Sequence, residues 1–154
     1  MARYIVTGKT AATAATIDHA VAQVWNPSTS KRFKVLEFHV FKQGAVGGAD
    51  EPVIRRSTAR GTAGSTVTPA ASTEVEQVAN PPSGFLLDLA TFSVQPTLAA
   101  GPLYGAVIPA AIGAGIMWTF TDMGLEVPAG QGLVLTTGVA LAFPASRVTV
   151  VVED

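Results

Sequence analysis

Turn-forming residues interrupt this chain so often that helices of average length have little room between them. Clusters fall at Asn26-Pro27-Ser28-Thr29-Ser30, Gly44 to Asp50, Gly61 to Gly64, Asn80-Pro81-Pro82-Ser83-Gly84 and Pro128-Ala129-Gly130-Gln131-Gly132. Glycine supplies positive φ and proline fixes φ, so each cluster marks a turn. The runs between them have the length of strands.

Those runs also have strand composition. Arg32 to Lys42 alternates with period two and is rich in β-branched and aromatic residues. Strict alternation puts Leu36, Phe38 and Val40 on one face, expected to point into the core. It puts Phe33, Val35, Glu37, His39 and Phe41 on the other, a mixed face suited to contact with another subunit. Arg147 to Glu153 alternates likewise, with Val148, Val150 and Val152 facing inward. Further strands are expected at Tyr4–Thr7, Ala20–Trp25, Val53–Thr58, Thr73–Val78, Phe85–Val94, Leu103–Ile108, Ile116–Phe120 and Leu133–Thr137. The stretch Ala11–Val24 could alternatively start as a short helix, since alanine is the best helix former. Its threonines and β-branched residues weaken that reading.

About ten short strands with long-range pairing imply an all-β fold, an antiparallel β-sandwich or jelly roll. The 154 residues suit a single domain. Residues 1–15 read as an N-terminal arm or a first strand, and 16–154 as the sandwich. No signal peptide is expected from the first residues, which lack an apolar core before a cleavage site.

Composition excludes several classes. The absence of cysteine removes disulfides, thiolate metal sites and thiol nucleophiles. A net charge of −1 argues against a nucleic-acid binder. Leu89 to Thr121 carries no charge, yet Pro102, Pro109, Gly101, Gly105, Gly113 and Gly115 would break a membrane helix repeatedly. Charge is uneven along the chain. The first 60 positions hold nine basic and four acidic residues, formally +5; beyond them Arg147 stands against seven acids, formally −6.

No catalytic constellation emerges. Gly8-Lys9-Thr10 lacks the earlier glycine of a P-loop, since Arg3 stands there. Gly61 to Thr66 has no strand-before, helix-after context and reads as a flexible hairpin or surface loop. Asp18 and His19, adjacent in a strand, would point apart. Glu37 and His39 share a face with no third partner in sequence. Two histidines and scattered acids, among them Asp88, Asp122 and Glu126, give no metal-ligand spacing. Arg55-Arg56-Ser57-Thr58-Ala59-Arg60 has no interleaved aromatics for stacking on nucleic acid. No enzyme activity and no cofactor are expected.

A mean hydropathy of +0.38 is high for a chain with a single sandwich interior. The surplus apolar surface would form patches larger than monomers tolerate, so it is expected to be buried between copies. A homo-oligomer, with a trimer favoured, follows.

Three features resemble the small β-sandwich structural proteins of tailed bacteriophages, above all capsid decoration (cement) proteins. They are the Ala/Thr/Gly-rich, cysteine-free chain, the turn-strand unit Leu125 to Leu133, and the opening Trp25-Asn26-Pro27-Ser28. The resemblance implies a virion structural protein on the exterior of an icosahedral capsid. It would assemble in the host cytoplasm and stabilise the shell by binding the major capsid protein. Trp25, Phe33, Val35, Phe41 and Trp118 are the candidates for oligomer or capsid contact. The alternative is a receptor- or carbohydrate-binding module of a fibre or head spike, for which an exposed Trp25 or Trp118 would serve.

Overall fold

The structure is a computed structural model and describes residues 2–45, 48–70, 84–121 and 123–154. Two antiparallel sheets pack face to face, and there is no helix among the described residues. The eleven strands among the described residues are β1 (Arg3–Lys9), β2 (Ala20–Trp25), β3 (Phe33–Lys42), β4 (Pro52–Ala59), β5 (Thr62–Val67), β6 (Leu86–Val94), β7 (Thr97–Gly105), β8 (Gly115–Thr119), β9 (Leu125–Val127), β10 (Gly132–Thr137) and β11 (Ser146–Glu153). One sheet runs β1-β11-β3-β8, with β9 also paired to β3; the other runs β5-β6-β2-β10-β4-β7. The chain is therefore the all-β sandwich its punctuation implies. Residues 3–9 form a first strand rather than a free arm, and Ala11–Val24 contains no helix.

The main core lies between the sheets. Tyr4, Val6, Phe38, Val40, Val148, Val150 and Val152 come from the five-stranded sheet; Ala22, Val24, Ile54, Leu87, Leu89, Leu133 and Leu135 come from the six-stranded one. The three alternating valines of β11 face inward as the period-two pattern requires. The outer face of the six-stranded sheet is covered by the chain itself. Ala20, Ala90, Phe92 and Val134 form a second, smaller core there, with Ala63 and Leu98 packed against it.

The strand β3 departs from strict alternation. Its pairing with β11 slips between Val151 and Val152, so Val151 faces Glu37 while Val152 faces Val35. This bulge places an extra residue, Leu36, in β3 and reverses the sense of the alternation on either side of it. Phe33 and Val35 consequently point inward, as Phe38 and Val40 do, and are buried at 4% and 0% exposure. Leu36 is half-buried instead of sealed in the core. The expectation that Phe33 and Val35 share the outer face with Glu37, His39 and Phe41 is corrected here: one inserted residue moves them into the protomer's own core.

Three other segments differ from the sequence reading. The glycine-rich Gly61 to Thr66 is largely strand β5, paired along the edge with β6. The strand expected at Leu103–Ile108 is β7, which begins six residues earlier and tolerates Gly101 at φ +81° because it lies at the sheet edge. The strand expected at Thr73–Val78 lies outside the described residues.

The two motifs that carry the family resemblance pack against each other. Asn26 is buried; its Nδ2 donates to the carbonyls of Lys31 at 2.9 Å and Val127 at 3.0 Å, and its Oδ1 accepts from Ser28 N. Its backbone exchanges hydrogen bonds with Gln131 and Gly130 of the Pro128–Gln131 turn. Gly130 stands at φ +65°, a conformation that favours glycine. One satisfied asparagine thus fixes the exit of β2 to the entry of β10.

Candidate functional site

The ionisable residues singled out in the sequence do not converge. Asp18 pairs with Arg55 at 2.9 Å. His19 is held between Thr16 Oγ1 at Nδ1 and Gln95 Nε2 at its own Nε2. His39 Nε2 lies 2.8 Å from Glu37 Oε2, two residues away on the same face, with no hydroxyl of the described residues bonded to either side chain. Glu126 pairs with Arg32 at the surface. Asp122 lies outside the described residues. Among the described residues, no three His, Asp or Glu side chains form a metal-binding group.

Asp88 is the most enclosed acid among the described residues, fully buried on the outer face of β6. Arg60 grips it with two hydrogen bonds of 2.7 Å, and Thr66 Oγ1 adds a third. The bidentate hydrogen bonding from Asp88 holds the Arg60 guanidinium above its ordinary pKa, against the opposing effect of partial burial. Gln23, also buried, bonds Ser57 Oγ and the Ala59 carbonyl and accepts from Gly61 N. These contacts lay the β4–β5 link over the outer face of the six-stranded sheet. They are structural fastenings for the second core.

No protein-family model, curated protein or solved structure matches this chain. Its function must be read from the surfaces the fold leaves open.

Among the described residues, exposed large apolar side chains gather on two surfaces, with Ile17, Val94, Met123 and Leu141 exposed elsewhere. The first is the outer face of the five-stranded sheet, which no other part of the described chain covers in the way the second core covers the other sheet. The strand registers align Ile5, Val151, Glu37 and Thr119 in one row, Thr7, Thr149, His39 and Met117 in the next, and Lys9, Arg147, Phe41 and Gly115 in a third. Ile5 and Phe41 are each 45% exposed and Met117 is 56% exposed. Lys9 and Arg147 face each other across β1 and β11, and neither has an acidic partner among the described residues. Gly115 permits the close approach of β8 that completes this face, since a Cβ there would overlap the Val40 carbonyl and the Phe41 ring. The second surface follows the edge strand β7 and its link to β8, where Leu103, Tyr104, Val107 and Ile112 are exposed.

The five contact candidates from the sequence divide accordingly. Phe41 lies on the open face; Phe33, Val35 and Trp118 are buried in the protomer, and Trp25 is half-buried at the end of β2. With Trp118 packed in the core, Trp25 is the one tryptophan with ring surface to offer a ligand. Sequence reasoning missed Ile5 and Met117, which reach the open face from strands with no pattern of their own. It also missed the β7 surface, although the uncharged run Leu89 to Thr121 was the signal for it.

Proposed function

We propose that this chain is a non-enzymatic structural protein of a virion, which assembles with copies of itself and braces the outside of an icosahedral capsid. The observation that carries this reading is the presence of two exposed apolar surfaces on one small sandwich, one across the open sheet face and one along β7 and its link to β8. Exposed apolar patches of this kind mark protein contacts. A brace has to hold a sister copy and the shell at the same time, and so needs more contact surface than a monomer. The cysteine-free composition and the packed Asn26 and Pro128–Gln131 turns support the same reading through the family they resemble. Bracing acts by addition: each oligomer spans several shell subunits, so rupture requires more contacts to break. The test is thermal release of genome from particles with and without the protein. Release at a higher temperature in its presence is expected; equal release temperatures would reject the stabilising role.

A further inference from the structure

The outer face of the five-stranded sheet carries its charge in a pattern that selects an occupant. The row of Lys9, Arg147, Phe41 and Gly115 holds two cations and no acid. The row of Thr7, Thr149, His39 and Met117 follows and holds no carboxylate. The third row, Ile5, Val151, Glu37 and Thr119, holds one carboxylate, which bonds His39. Beyond it Arg3, Glu153, Lys34 and Glu126 stand side by side, two of each sign. The exposed apolar groups Ile5, Phe41 and Met117 lie within the first three rows, between or beside these charges.

A uniformly acidic partner would oppose Glu37, and a uniformly basic one would oppose Lys9 and Arg147. A second copy turned end for end opposes neither. Glu37 and Arg147 lie on the neighbouring strands β3 and β11, one row to either side of the His39–Thr149 pair and diagonally across its midpoint. A two-fold axis lying in the face, through that midpoint and perpendicular to the diagonal, sets Glu37 of each copy on the partner's Arg147, with the partner's Lys9 alongside. The same rotation brings Met117 of each copy onto the partner's Phe41, a favourable sulfur–aromatic contact. Copies stacked with their strands running the same way would instead gather four cations at one end, and like charges so juxtaposed are costly. We propose that two copies of this chain pack outer face to outer face about this axis, through paired Glu37–Arg147 contacts around an apolar centre. The inference rests on the self-assembly in the proposed function and adds its symmetry: the unit is a closed dimer rather than the trimer favoured from the sequence. It leaves the β7 surface free for the shell. Strands about 4.8 Å apart, rising about 3.4 Å per residue, give the face roughly 450 Å² per copy, the size of a weak, reversible contact.

The test is sedimentation velocity of the full chain across a concentration series, on wild type, Glu37→Arg, Arg147→Glu and the double variant. Wild type is expected to pass from monomer to dimer in the micromolar range. Each single variant opposes like charges at both ends of the contact and should weaken the dimer about tenfold or more. The double variant exchanges the charges and should recover most of that loss. Far-ultraviolet spectra unchanged from wild type show that the variants are folded. A double variant no tighter than either single one, or a dimer that neither single variant weakens, would overturn this packing while self-assembly stands. A wild type that stays monomeric at every concentration would overturn the self-assembly itself, and the bracing role is judged separately by genome release.

Discussion

Lys42 ends β3 with its side chain fully enclosed, its ammonium against the Asp50 carboxylate and 2.7 Å from the Pro109 carbonyl, with the Phe143 ring 6.0 Å away. Asp50 is buried as well, and its backbone bridges Ile108. One ion pair therefore ties together the end of β3, the approach to β4 and the link from β7 to β8. Removing one partner of a buried pair leaves an uncompensated charge, which costs more than the pair itself is worth. Lys42→Met should lower stability by about 3–5 kcal/mol in urea unfolding. Adding Asp50→Leu to it should recover much of that loss, because the stranded carboxylate is then gone; no recovery in the double variant would show that the pair stabilises the fold in its own right. The pair could not be recognised in the sequence. Lys42 sits at a strand end and Asp50 in a glycine-rich turn, the usual places for solvated charges. Their burial comes from a link more than fifty positions further along the chain folding over them.

The same limit applies to strands, where period and pairing compete. Period two located β3 and β11 because each has a continuous apolar alternation to bury, whereas β2 and β10, buried on both faces, were found as short apolar runs between turns. It misassigned the two sides of β3 because a bulge inserts a residue without leaving a signature: Leu36 is as apolar as its neighbours. It missed β5 because backbone pairing to β6 needs no apolar side chain, and it started β7 late because the strand runs through Gly101 and Pro102, residues that weaken a strand pattern. The bulge makes a prediction about Phe33 and Phe41, which strict alternation would treat alike. Phe33 packs on Phe85 at 5.5 Å in the core, so Phe33→Ala should cost about 3–5 kcal/mol through the cavity it leaves. Phe41 is half-exposed, and Phe41→Ala should stay within about 1 kcal/mol of wild type in the isolated protomer. Equal losses in thermal or urea unfolding would place both rings on the same side of the sheet and remove the bulge.

Across the whole molecule, charge that is segregated along the chain becomes paired in space. Arg3 meets Glu153, Arg32 meets Glu126 and Arg60 meets Asp88, each joining the basic first part of the chain to the acidic remainder. The sandwich interleaves early and late strands, and these three pairs set basic residues of the first part of the chain against acids of the remainder. Lys9 and Arg147 stay without an acidic partner among the described residues, beside the exposed Ile5, Phe41 and Met117, on a sheet face whose counterpart on the other sheet is covered by a second core. Burying that face against a copy of the chain would remove apolar surface at roughly 25 cal/mol per Å², before the cost of association. Light scattering should therefore return a multiple of the 15.8 kDa protomer mass. Because Ile5 and Met117 contribute little to the protomer's interior, Ile5→Asp together with Met117→Asp should reduce that mass toward a single protomer while the β-rich far-ultraviolet spectrum is retained. An unchanged multiple in the double variant would move the self-contact to the β7 edge, where Leu103→Asp is the corresponding substitution, and a wild-type mass of one protomer would remove self-association altogether.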